Sequence, residues 1–149
     1  MKTIILTIIL CLFTVNVEAA QRVLLFYSSH CKYCQNWDKE IGVENYSKTD
    51  IGQALPIQII DEKDGRIEWI VEAIQSGRMD YIRGTPTFVV WDDTLEMELT
   101  RLVGYRSKEN FYENLGLILK NIINSPQLHQ QPEKESSVSG YMEKMMVVE

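Results

Sequence analysis

Residues 22–37 read RVLLFYSSHCKYCQNW, and this stretch decides the fold. Arg22 to Ser28 is a nearly continuous apolar run of strand-forming residues, the pattern of a strand buried on both faces of a sheet. Cys34, Trp37 and Ile41 then follow at helical spacing, so the chain turns at Ser28-Ser29-His30 and enters a helix near Cys31. That places Cys31 at a helix N-terminus. There the free backbone N–H groups and the positive end of the helix dipole stabilise a thiolate.

Downstream, Gly42 to Ala54 mixes polar and small residues and predicts a loop holding one turn of helix around Tyr46 to Ile51. Leu55 to Asp61 (LPIQIID) alternates and then runs apolar, a second strand that must lie parallel to the first because a helix separates them. Ile67, Ile70, Val71 and Ile74 form the apolar stripe of another helix, ended by Gly77, with Trp69 on its edge. After the Arg83-Gly84-Thr85-Pro86 turn, Thr87 to Trp91 and Glu96 to Val103 predict a hairpin joined through Asp92-Asp93-Thr94. Gly104 breaks the chain. Phe111, Leu115, Ile118, Leu119 and Ile122 then define a closing helix with Ser107 as its cap. The order β-α-β-α-β-β-α predicts an α/β domain with a four-stranded mixed sheet flanked by helices.

The 149 residues and 45% hydrophobic content suit a single core. Met1-Lys2, an apolar run from Ile4 to Val15 and a small-residue end at Ala19-Ala20 have the layout of a secretory signal. The run is too short for the ~20 residues that cross hydrocarbon. The expected organisation is therefore a signal at 1–19, cleaved after Ala19 or Ala20, a folded domain at 20–124 and a flexible polar tail at 125–149. The tail is rich in Gln, Ser, Glu and Lys, with apolar residues returning only at Met142 to Val148.

Removing residues 1–19 takes away Lys2 and Glu18, so the net charge stays at −6. An acidic chain without a clustered basic face is poorly suited to nucleic acid. Removal also takes Cys11, which leaves Cys31-x-x-Cys34 as the whole cysteine complement. So short a loop gains little from a structural staple, because closing it removes little chain entropy.

Disulfide exchange needs a thiolate that attacks, a second thiol that resolves the mixed disulfide, and an open face for the partner's backbone. Cys31 fits the first role. Cys34, one turn inside the helix, fits the second. Lys32 and Tyr33 lie between them and tune the redox poise; His30 is either an aid to proton transfer and thiolate stabilisation or an exposed turn residue. The same residues offer a metal reading, with His30, Cys31 and Cys34 as three ligands to copper or zinc, but a second cysteine pair is missing. Covalent haem attachment requires histidine directly after the second cysteine, where Gln35 stands. Trp37, Trp69 and Trp91 are expected to face inward at least in part, and Trp37, just beyond the CxxC, is placed to report on the redox state.

A CxxC between a buried strand and a helix, followed some fifty residues later by Thr85-Pro86 before another strand, resembles the thioredoxin superfamily. The resemblance implies a minimal thioredoxin fold in which Pro86 is a cis-proline packed opposite the CxxC and Thr85 binds the partner's backbone. Gly104 resembles the superfamily's glycine after the last strand. With the domain starting at Ala20, the N-terminal strand and helix of the full fold have no room. Leu25 stands where thioredoxins bury a catalytic aspartate, so the base for Cys34 must be sought elsewhere, in water, Lys32 or His30.

The segments Cys31 to Trp37, Tyr46 to Gly52, Thr85-Pro-Thr-Phe-Val89 and Gly104-Tyr105, with Phe111 beyond, are similar to the periplasmic thioredoxin-like SoxS family of bacterial sulfur-oxidation systems. That similarity spans roughly residues 22–120. It implies a periplasmic, monomeric thiol–disulfide oxidoreductase that keeps partner proteins reduced and draws electrons from a membrane thiol relay. Its redox group is the Cys31–Cys34 disulfide, with no metal and no other cofactor. The competing expectations are an oxidase or isomerase on the same fold, and a copper-binding or partner-binding module without turnover.

Overall fold

In the computed structural model, which describes residues 20–125, the elements follow the expected order. They are β1 (Gln21–Tyr27), α1 (Lys32–Glu40), α2 (Gly42–Ser47), α3 (Asp50–Ala54), β2 (Ile57–Asp61), α4 (Glu68–Gln75), β3 (Thr87–Asp92), β4 (Met97–Val103) and α5 (Lys108–Asn124). A 3₁₀ turn, Glu62–Asp64, links β2 to the approach to α4. The signal at 1–19 and the tail beyond residue 125 lie outside the described residues.

The four strands form one mixed sheet in the order β2-β1-β3-β4, a minimal thioredoxin-type α/β fold. β1 is central, parallel to β2 with Leu25 opposite Ile59, and antiparallel to β3 with Leu25 opposite Phe88. This explains the unbroken apolar run of β1, since both its faces are covered and alternation would serve no purpose. Val23 and Leu25 join the cluster built on Trp37, Ile41, Tyr46, Phe88, Phe111 and Leu115. Leu24 and Phe26 join the opposite cluster, with Ile60, Ile70, Ala73, Val89 and Trp91. The period of two along β1 thus feeds two cores.

Phe111 on α5 is the hub of the first core. Its ring lies 4.8 Å from that of Phe88 and within 6.2 Å of those of Trp37, Tyr46, Tyr105 and Tyr112. Trp69 leans on Trp91 at 5.5 Å in the second core, so the three tryptophans face inward as their spacing suggested.

The structure corrects three boundaries. Gly42 to Ala54 is two short helices rather than a loop with one turn. The break falls at Lys48-Thr49, where the Thr49 hydroxyl donates to the Tyr46 carbonyl at 2.7 Å and accepts the Gly52 N–H at 3.0 Å, ending α2 and capping α3. β2 starts at Ile57 rather than Leu55, because Leu55 is taken up by the end of α3 and donates its N–H to Ile51. The hairpin turn runs over residues 93–96 because Asp92 is still in β3, where its carboxylate accepts the N–H groups of Thr94 and Leu95, both at 2.8 Å.

Candidate functional site

β1 ends at Tyr27, and the Ser28 carbonyl accepts the Cys31 N–H at 3.1 Å, which folds the chain into the turn before α1. Cys31 is the N-cap of α1, in extended backbone conformation, and its sulfur accepts the Cys34 N–H at 3.4 Å. The sulfur therefore occupies the place where a capping serine or aspartate puts its oxygen. Both cysteines are free thiols, Cys31 partly accessible and Cys34 fully buried beneath it.

The two thiols are electrostatically unlike. Burial pushes the Cys31 thiol up, but hydrogen bonds from the Cys34 backbone and thiol, the Thr85 side chain and the Tyr33 backbone together outweigh it and hold the group below the ordinary thiol value. Cys34 is pushed up to about 11, by burial first of all and then by its neighbour Cys31. One sulfur is poised to ionise; the other keeps its proton.

Thr85 and Pro86 lead into β3, whose first residue Thr87 pairs with Phe26 near the end of β1, so they reach this pair at the same end of the sheet. The peptide bond between them is cis, and the Thr85 carbonyl accepts the Cys31 thiol at 3.1 Å. Their loop is held from both sides. The Pro86 carbonyl accepts the Gly104 N–H at 2.8 Å, and the Thr87 hydroxyl donates to the Gly84 carbonyl at 2.7 Å. Further back, Arg101 on β4 forms a two-pronged pair with Glu98 and donates to the carbonyls of Asp80 and Tyr81 at 3.0 and 3.3 Å, tying the approach to Thr85 onto the sheet.

Of the auxiliary residues named from sequence, Lys32 and Tyr33 lie exposed on the first turn of α1. Trp37 has no exposed surface and packs on Phe88 and Phe111, so it belongs to the core beneath the site. His30 is exposed, and its Nδ1 lies 3.0 Å from Glu62. Glu62 was missed by the sequence reading. No feature of the sequence marked it: Tyr27 lies opposite Asp61 in parallel register, and only this places Ser28 and Glu62 side by side just beyond the strand ends, where the Ser28 hydroxyl reaches Glu62. Leu25 is fully buried, and no carboxylate takes its place in the sheet. Among the described residues no group of three His, Cys, Asp or Glu side chains is arranged to hold a metal ion.

A four-stranded sheet carrying a CxxC at the start of a helix, with a cis Thr-Pro loop against it, defines a thioredoxin-fold protein. The chain belongs to the thioredoxin-like domain family, whose model matches residues 14–118. Among solved structures it is similar to the reduced periplasmic thioredoxin SoxS from Paracoccus pantotrophus, at 29% identity and a TM-score of 0.56, over 68% of this chain and 98% of that one. A thioredoxin from Malassezia sympodialis shares the fold at 19% identity and a TM-score of 0.50, over 68% of this chain and 80% of that one. No curated protein matches the sequence significantly. No helix among the described residues is long and apolar enough to cross a membrane.

Proposed function

We propose that the protein is an exported thiol–disulfide oxidoreductase that reduces disulfides of specific partner proteins in the periplasm, of the kind that serve sulfur oxidation. The observation that carries this reading is the pairing of an accessible, low-lying thiol at Cys31 with a buried, protonated thiol at Cys34 beneath it. The Cys31 thiolate attacks one sulfur of the partner's disulfide. Cys34 then attacks Cys31 and releases the reduced partner, leaving a Cys31–Cys34 disulfide.

Thr85 and Pro86 form the docking edge. In the dithiol form the Thr85 carbonyl is occupied by the Cys31 thiol; when that proton is lost, the carbonyl is open to a backbone N–H of the partner. The similarity to the periplasmic thioredoxin SoxS supports the compartment. The protein works as a monomer, and a membrane thiol relay resets the disulfide.

The test is the reduction potential of the Cys31–Cys34 pair, set by equilibration against glutathione or dithiothreitol and read by thiol trapping. A value at or below about −220 mV supports a reductase, whereas one near about −120 mV makes the protein a disulfide donor. Cys31→Ser must abolish disulfide turnover; turnover that survives it refutes the reading.

A further inference from the structure

The loop that presents Cys31 is bound to the end of β2 by a single carboxylate oxygen. Glu62 Oε1 accepts the Ser28 hydroxyl at 2.6 Å and lies 3.0 Å from His30 Nδ1. The Ser28 oxygen accepts the His30 backbone N–H at 3.3 Å, which closes the cluster on itself. Ser28 is buried, while the His30 side chain is 85% exposed. The ring is thus anchored at one nitrogen and open to solvent, and to any docked partner, at the rest.

A carboxylate at Nδ1 has two physical consequences. It keeps the Nδ1 proton in place, so that exchange with the surroundings takes place at Nε2, and it fixes the orientation of the ring on the loop that presents Cys31. The residue so prepared immediately precedes the attacking cysteine. The charged groups around the pair are Asp61 and Lys63 on the same turn, and Arg66 across the groove, itself paired to Glu68 at 3.3 Å. Glu62 itself is held below the usual carboxylate range, first by the Ser28 hydroxyl and then by His30, and so stays charged near neutrality.

Disulfide reduction creates a need for such a group. When Cys31 attacks, one partner sulfur leaves with the electron pair of the broken S–S bond, and an aliphatic thiolate leaves far more readily if it is protonated as it departs. Resting on the oxidoreductase reading above, we propose that Glu62 is a positioning residue that holds His30 as the proton donor to the partner's departing thiolate. In the first step the Cys31 thiolate forms a bond to one partner sulfur, the partner's S–S bond breaks, and the imidazolium Nε2 proton passes to the expelled sulfur, leaving neutral imidazole. In the second step Cys34 bonds to Cys31 and its proton ends on the second partner sulfur.

The experiment compares two probes with the full chain. Oxidised glutathione expels an aliphatic thiolate that needs a proton; 5,5′-dithiobis(2-nitrobenzoate) expels an aromatic thiolate that leaves without one at neutral pH. In His30→Ala and, as a second variant of similar bulk, His30→Gln, the loss of rate on oxidised glutathione should exceed the loss on the aromatic disulfide by at least about tenfold. Glu62→Gln should lower the rate on oxidised glutathione more than on the aromatic disulfide, and should add nothing further when combined with His30→Ala, because its role runs through the ring it holds. Equal losses on both probes, or none, overturn the role of His30, and a Glu62→Gln loss that is equal on both probes, or that adds to the loss of His30→Ala, overturns that of Glu62. Failure of the oxidoreductase reading looks different, since Cys31→Ser would then leave turnover of both probes intact.

Discussion

The backbone N–H of Cys34 donates to the sulfur of Cys31 at 3.4 Å, so the first turn of α1 is capped by the thiol it activates. An ionised sulfur strengthens that bond, and the helix in turn favours the ionised sulfur. Alkylation with iodoacetamide, followed by mass spectrometry, should label Cys31 long before Cys34. The thiolate is the reactive form, and the Cys31 thiol lies below its ordinary value, so its rate should rise with pH about a midpoint lower than that of an unstructured cysteine. Cys34, pushed up to about 11 and buried, should react at a comparable rate only after unfolding.

Phe111 touches five other aromatic rings and is 4% exposed, so its removal leaves a cavity that α5 and the sheet cannot both close. Phe111→Ala should cost about 3–5 kcal/mol in urea unfolding. Because Trp37 is one of those rings, the variant should also shift the tryptophan emission of the folded state.

Gly52 lies in α3 close against the end of α2. A Cβ there would sit 2.7 Å from the Tyr46 carbonyl carbon and closer still to its oxygen, and backbone cannot yield as a flexible side chain can. Gly52→Ala, normally favourable in a helix, should here destabilise by about 1–3 kcal/mol. An unchanged urea midpoint would show that the junction of the two short helices is looser than the Thr49 bonds imply.

Tyr46 is fully buried and its hydroxyl donates to the Leu55 carbonyl at 2.7 Å. Burial, and then Tyr112, push its phenol well above the ordinary value. A group whose folded value is raised stabilises the fold fully below the unfolded value, here about 10, and that stability is lost as pH rises from there towards the folded value. Urea midpoints should therefore fall above pH ~10. Tyr46→Phe should make that fall shallower while costing about 1–2 kcal/mol at neutral pH, since the Leu55 carbonyl loses its donor. Tyr105, raised by burial and its bond to Glu40, and the raised phenols of Tyr27 and Tyr112 retain the remaining slope.

By itself the sequence determined the four strands, the three longer helices and the identity of the cysteine pair, because these are local matters. The apolar run at Val23 to Phe26, the helical spacing of Cys34, Trp37 and Ile41, and the Ser107 cap act within a few residues of chain, and periodicity records them directly. Thr85-Pro86 was legible only through its resemblance to a known pattern. What tertiary structure decided lies wherever distant segments meet. The turn at Lys48-Thr49 depends on Thr49 finding the Tyr46 carbonyl, the inward place of Trp37 depends on Phe88 and Phe111, and the hold of Arg101 on Asp80 and Tyr81 joins residues some twenty positions apart. Glu62 is the clearest case. Nothing near it in the chain marks it, and it reaches Ser28 and His30 only because two parallel strands, separated by three helices, end side by side.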